Sequence, residues 1–181
     1  MRGIILLAMV GLSGCSNTNL PRFESVLAAN DSATAALAQW CEARHIAQPP
    51  VIRALADRAA KFTPTPAVLA TLGVPDATHV AYRHVRLTCG NTVLSFAHNW
   101  YVPARLTPDM NHTLETTDTP FGKVVTPLSF RRDRLAAQRG PTNECPKGTV
   151  LSHRAVLRIA DGSAISLVIE CYTRANLKAA G

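Results

Sequence analysis

His79-Val80-Ala81-Tyr82-Arg83-His84-Val85-Arg86-Leu87-Thr88-Cys89 runs straight into Gly90-Asn91 and then Thr92-Val93-Leu94-Ser95-Phe96-Ala97-His98-Asn99-Trp100-Tyr101-Val102. The first run alternates between apolar and polar side chains, the two-residue period of a half-buried strand. Gly90-Asn91 supplies the residue types that tolerate positive φ in a tight turn, and the second run carries the aromatic and β-branched residues that strands favour. The stretch predicts an antiparallel hairpin over 79–102, closed by Pro103.

Working outward, residues 150–160 and 163–173, joined at Asp161-Gly162, predict a second hairpin, and 125–135 a further strand. Residues 51–62 complete the set as a strand, although their alanines favour helix by propensity. Asp31, Ser32 and Thr34 precede Leu37, Trp40, Cys41 and Arg44, an N-cap signal opening an amphipathic helix that ends near Pro49. A short helix over 67–72 is stopped by Gly73 and Pro75. The polar stretch 107–119 predicts a loop long enough to act as a flap, with Met110-Asn111-His112 placed to gate a site, and 140–148 a loop holding Cys145. Six strands in hairpins with helices beside them define the α+β class: a single antiparallel sheet with helices covering one face.

Leu12-Ser13-Gly14-Cys15 follows a short apolar run, 4–10, behind Arg2. The run is too short to span a bilayer. The order of positive residue, apolar run, small residues and cysteine resembles bacterial lipoprotein signals. That resemblance implies cleavage before Cys15, diacylglycerol on its thiol and acylation, palmitate included, of the new amine. Ser16 in place of Asp implies the periplasmic face of the outer membrane. The expected organisation is a signal peptide over 1–14, a lipid-anchored tether over 15–25 and one domain over 26–181.

The chain is 47% hydrophobic and 17% charged, with net charge +7, or +6 once Arg2 leaves with the signal. The excess is arginine scattered along the sequence, and no nucleic-acid motif accompanies it, so no nucleic-acid partner is expected. The dense stretch Arg131, Arg132, Arg134 and Arg139 fits a solvated strand face, or a surface for anionic headgroups or an acidic ligand. With Cys15 lipidated, Cys41, Cys89, Cys145 and Cys171 remain for two disulfides in an oxidising compartment. Three connectivities are open, and the absence of a CxxC pair argues against zinc. No metal and no cofactor is expected.

Four pieces in order resemble the chorismate pyruvate-lyases and their relatives, the UTRA-like ligand-sensing domains of bacterial transcription regulators. They are Asp31-Ser32-Ala33-Thr34, Arg83-His84-Val85-Arg86-Leu87 with Tyr101-Val102-Pro103, Thr119-Pro120-Phe121-Gly122, and Ile169-Glu170. Residues 66–87 also resemble the sensor relatives, with a proline, a short helix ending Leu-Gly and an arginine-bearing strand. The resemblance implies a pocket between sheet and helices in which Arg83 binds a carboxylate, Glu170 contacts the ring oxygen and can act as general acid, and main-chain groups of Ala33 and Phe121 complete the site.

The residue types suit those roles: a planar guanidinium matches a carboxylate, and a buried glutamate can deliver a proton to a leaving oxygen. The alternative is a structural Arg83–Glu170 ion pair. The lyases commonly carry a second arginine near Asn99, where this chain has His98-Asn99, and Phe121 replaces an aliphatic residue. His98 would be a base, a replacement cation or a packed side chain, and at most one of Trp100 and Tyr101 can face the site. If Arg83 and Glu170 both point into the pocket, Cys89 shares the helix-covered face and Cys171 does not, which favours Cys41–Cys89 and Cys145–Cys171.

The leading expectation is a lipid-anchored envelope protein that binds a small carboxylated, aromatic molecule at Arg83, Glu170, Ala33, Phe121 and Asn99 without turning it over. Two rivals stand beside it. One is a chorismate pyruvate-lyase or related eliminase forming 4-hydroxybenzoate and pyruvate; the other is an envelope assembly protein whose pocket is filled by Phe121, Trp100 and Tyr101.

Overall fold

A computed structural model describes residues 19–178. The lipobox, Cys15 and the signal segment lie outside the described residues. Six strands, β1 (Ile52–Asp57), β2 (Ala81–Cys89), β3 (Thr92–Tyr101), β4 (Arg131–Arg139), β5 (Leu151–Arg158) and β6 (Ala164–Tyr172), form one antiparallel sheet in the order β1-β2-β3-β6-β5-β4. Both expected hairpins form, β2-β3 and β5-β6, and they meet along the β3-β6 pair at the centre. The alanines of β1 do not make a helix, because pairing with β2 overrides propensity and lays Ala54 and Ala56 under the helical layer.

Four of the five α-helices among the described residues cover one face: α1 (Asn19–Ala28), α2 (Ala33–Ala43), α4 (Pro108–Thr116) and α5 (Phe121–Val124). The fifth, α3 (Pro66–Leu72), lies on the other face, where Val68 and Leu72 pack on Trp100, Leu167 and Ile169. Helices therefore cover one face fully and the other in part.

Several boundaries differ from expectation, among them the strand expected over 51–62, which ends at Asp57, and the helix expected to end near Pro49, which ends at Ala43; three others have a local reason. Residues 19–25, expected in the tether, belong to α1: Phe23 and Leu27 stand one turn apart, and the Phe23 ring meets Trp40 and Tyr172 at 5.2 Å each. The expected flap is α4, because Thr107 Oγ1 accepts from the Met110 N–H at 3.2 Å, Pro108 fills the first turn and Met110 and Leu114 bury on one side. The strand expected over 125–135 starts later, at Arg131, since Val125 closes α5 and Thr126–Leu128, with Pro127 lacking an N–H for a ladder, forms a 3-10 turn.

Ser32 caps α2, its hydroxyl accepting from the Ala35 N–H at 3.3 Å. The helix buries Ala36, Leu37, Trp40 and Cys41, the last bonded to Cys89 with Cα atoms 6.3 Å apart. On the other face Cys145 bonds Cys171, Cα atoms 5.5 Å apart, fastening the 140–148 loop to β6. Both pairings are the ones that strand parity favours.

Candidate functional site

Strand register sets one row of side chains under the helices: Arg83 on β2 stands opposite Asn99 on β3, which stands opposite Val168 on β6. One row along, Val85, Ala97 and Glu170 align in the same way. Small Ala97 leaves space above the sheet. The first turn of α2, with Asp31 to Thr34, and the start of α5, with Phe121 and Gly122, roof this space, and Phe130 and Arg132 close its β4 side. The result is a hollow of about 50 Å³ lined by every residue expected to bind ligand: Arg83, Glu170, Ala33, Phe121 and Asn99.

The alternative, a structural Arg83–Glu170 ion pair, does not form. Glu170 is instead gripped by Arg132, whose Nη1 donates to Oε1 at 3.1 Å and whose Nη2 donates to Oε2, while the Tyr172 hydroxyl donates to Oε2 at 2.9 Å. Both ends of the pair are buried, with side chains 7% and 6% exposed. The Glu170 carboxylate raises the Arg132 guanidinium further above its ordinary range, against desolvation, and burial pushes the Tyr172 phenol well up. Arg132 was hidden in the basic stretch: Arg131 and Arg139 are solvated as expected, 63% exposed, but Arg132 opposes Leu157 and turns inward.

Arg83 is buried, and its Nη2 meets no hydrogen-bond acceptor among the described residues. Burial lowers its affinity for a proton, although a guanidinium stays charged in any protein setting. Two guanidinium groups thus line the hollow with two carboxylates, the buried Glu170 held by Arg132 and the exposed Asp31 at the roof. Asn99 has its Oδ1 engaged by the Ser166 hydroxyl.

His98 takes no part. It points to the other face, where its Nε2–H donates to the Glu144 carbonyl at 3.1 Å and its Nδ1 accepts from the Tyr82 hydroxyl at 2.7 Å. Burial and the neighbouring His84 lower its pKa, and of the three readings its position fits the packed side chain. Trp100 shares that face, its indole N–H donating to the Phe62 carbonyl at 3.2 Å. Tyr101 faces the helices, but its ring packs against Phe121 at 5.5 Å outside the hollow. Phe121 lines the hollow without filling it, and Met110 of the expected gate segment is a core residue, as is Leu114 one turn on.

Gly122 makes the closest approach between roof elements: a Cβ on it would meet Ser32 Oγ at 2.6 Å. Beyond this contact the hollow shares Asp31, Ser32, Thr34, Gly122 and Phe130 with an outer cleft of about 480 Å³ between α2 and the α5 segment. Among the described residues no group of three or more His, Cys, Asp or Glu could hold a metal ion.

This architecture is the UTRA and chorismate lyase-like fold. The chain is similar to the crystal structure of the effector domain of PhnF from Mycobacterium smegmatis, with TM-score 0.55 and 15% identity over 79% of this chain and 88% of that one. Full PhnF aligns with TM-score 0.57 and 14% identity over 81% of this chain, which spans 65% of the regulator's length. The ligand-binding domain of a regulator attributed to the GntR family from Bordetella bronchiseptica gives TM-score 0.52 and 10% identity, over 67% and 85% of the two chains. No protein-family profile matches the chain. The chain belongs to the family of the uncharacterized protein y4mC of Sinorhizobium fredii (strain NBRC 101917 / NGR234), with 39% identity covering 81% of this chain and 70% of that protein.

Proposed function

We propose that the domain binds a small carboxylated molecule in the hollow beside Arg83 and does not turn it over. The observation that carries this reading is the buried Arg83 Nη2, which meets no acceptor among the described residues and belongs to a side chain that lines the hollow. A desolvated guanidinium without a partner is unfavourable in the empty protein and gains most from a carboxylate, which can satisfy it in a planar fork. The fold shared with effector and ligand-binding domains of regulators is consistent with a binding role.

Glu170 supports binding over elimination. A general acid must present a proton, whereas both Glu170 oxygens accept from Arg132 and one also from Tyr172. Asn99 in place of a second arginine leaves a dianion with one countercharge fewer.

A thermal-shift screen of carboxylic acids, benzoates among them, tests the proposal. Acids should raise the melting temperature of the wild-type chain and leave Arg83→Ala unmoved; an absence of any shift across the screen would remove the reading.

We further propose that the protein resides in the cell envelope, held by lipid on Cys15. The Leu12-Ser13-Gly14-Cys15 sequence supports this, as do two disulfides suited to an oxidising compartment. Metabolic labelling with palmitate, lost in Cys15→Ser, is the corresponding measurement.

A further inference from the structure

Asn19, the first described residue, stands four residues past Cys15. Fully extended, four residues span at most about 14 Å, so the surface around Asn19 stays close to any lipid on Cys15. Asn19 is fixed to the body of the domain: its amide donates to the Leu177 carbonyl at 3.0 Å, and its Oδ1 accepts from Arg44 Nη1 at 3.3 Å. Arg44 Nη2 in turn donates to the Lys178 carbonyl, which gathers the start of α1, the end of α2 and the last described residues at one pole. The pole is cationic. Arg22 in the first turn of α1, Arg174 in the 3-10 turn against which α1 packs, and Lys178 are all exposed and make no ion pair among the described residues. Arg44 bonds neutral groups and stacks on Trp40, 5.4 Å from the ring centroid. Against these four cations stands Glu42, while Glu24 is taken by Arg139 at 2.9 and 2.7 Å. Arg44, His45, Thr92, Asn176 and Lys178 border a cleft of about 200 Å³ whose lining holds no carboxylate. At the opposite end of the sheet cations are paired instead: Arg131 and Arg158 share Asp133, each at 3.2 Å.

We propose that this pole is the membrane-facing surface of the anchored protein, its cleft and cationic rim receiving the phosphates of anionic phospholipids. The inference rests on the lipid anchor proposed above and adds an orientation to it. Acyl chains on Cys15 supply retention, so the cations are left to decide which side of the domain faces the bilayer. The short tether brings the pole into the surface potential, which reaches about one Debye length, ~8 Å at physiological salt. Each exposed Arg or Lys at the surface then favours this orientation roughly fivefold. The roof of the Arg83 hollow, at Ser32, lies at the other end of α2, about 16 Å along the helix axis from Arg44, and so stays clear of the headgroups.

Hydrogen-exchange mass spectrometry on the full chain, processed by the cell and extracted from its membranes, tests the assignment. The protein is reconstituted into vesicles of phosphatidylcholine alone, or of a two-to-one mixture of phosphatidylcholine and phosphatidylglycerol. Amides of residues 44–48 and 174–178 should exchange at least ~threefold more slowly on the mixed vesicles, while α4 at 108–116 exchanges alike on both. The difference should vanish in about 1 M KCl, where the screening length falls to ~3 Å. It should also vanish in the triple variant Arg22→Gln, Arg174→Gln, Lys178→Gln, whose side chains are exposed, and persist in Lys61→Gln, an exposed cation of the 58–65 connection. Circular-dichroism melts show whether the triple variant folds, and the lipid and salt comparisons on the wild-type chain decide without it. A palmitate-labelled chain that stays on the vesicles and exchanges alike on both compositions would overturn the orientation while the anchor stands. Protection that survives the folded triple variant or high salt would overturn the cationic rim as its cause. A chain that carries no palmitate and washes off the vesicles would remove the anchor, and this inference with it.

Discussion

Arg132 on β4 reaches over β5 to hold Glu170 on β6 by both carboxylate oxygens, and so leaves Arg83 as the cation of the hollow with a buried nitrogen facing no acceptor. The two arginines therefore have different energetic roles although both are buried. Arg132 is compensated within the fold. Arg83 keeps a buried Nη2 that meets no acceptor among the described residues.

Arg83→Met should accordingly raise stability without ligand, by about 1 kcal/mol, because it removes an uncompensated buried charge and keeps the apolar stem. The same variant should lose acid binding. Urea denaturation with and without acid reads both effects, and a destabilised Arg83→Met would contradict the uncompensated-charge account.

Glu170→Ala should cost about 3–5 kcal/mol, since it leaves the Arg132 guanidinium buried beside an empty position. The double variant Arg132→Met, Glu170→Leu should recover most of that loss by replacing the pair with apolar volume. A double-mutant cycle on urea midpoints measures the coupling.

His153 predicts the acid limb of the stability curve. The ring is buried against Tyr172 at 5.4 Å, and desolvation, aided by Arg132 and Arg134 against Glu170 and Glu24, pushes its pKa down to about 4. Between pH ~6.5 and ~4 the unfolded chain takes up a proton that the folded chain refuses, so stability falls as the pH falls through this window. The loss should total about 3 kcal/mol and be largely absent in His153→Phe. Urea titrations at stepped pH follow it.

Reduction should destabilise the domain through both bridges. Their sequence separations of 26 and 48 residues correspond to about 3.5 and about 4 kcal/mol of unfolded-state constraint. Removing Cys145 and Cys171 together should also free the 140–148 loop, increasing amide exchange there while the Cys41–Cys89 end stays protected. Hydrogen-exchange mass spectrometry separates the two.

The central hairpin was legible because a strand alternates strictly; the shared face of Arg83 and Glu170 came from the resemblance, and parity then carried it over to both disulfides. Arg132 was not legible, because a run of arginines has no apolar rhythm to show which members turn inward, and Leu135 sits in a break of the β4-β5 register that parity cannot foresee. The signals for α1 and α4 were present but faint: single i,i+4 pairs, Phe23 with Leu27 and Met110 with Leu114, inside otherwise polar stretches. Ion-pair choice was the remaining gap. Which cation reaches Glu170 depends on the strand order β6-β5-β4, which sequence spacing does not express.

Asn19 at the head of α1 donates its side-chain amide to the Leu177 carbonyl at 3.0 Å, and the Trp40 indole donates to the neighbouring Asn176 carbonyl at 3.2 Å. The two ends of the described fold are thus pinned side by side, at the far end of α2 from the Arg83 hollow. A cassette with adjoining ends can be spliced into a surface loop of an unrelated host without being pulled apart, which makes this domain a candidate module for an inserted biosensor whose reporter sits away from the ligand.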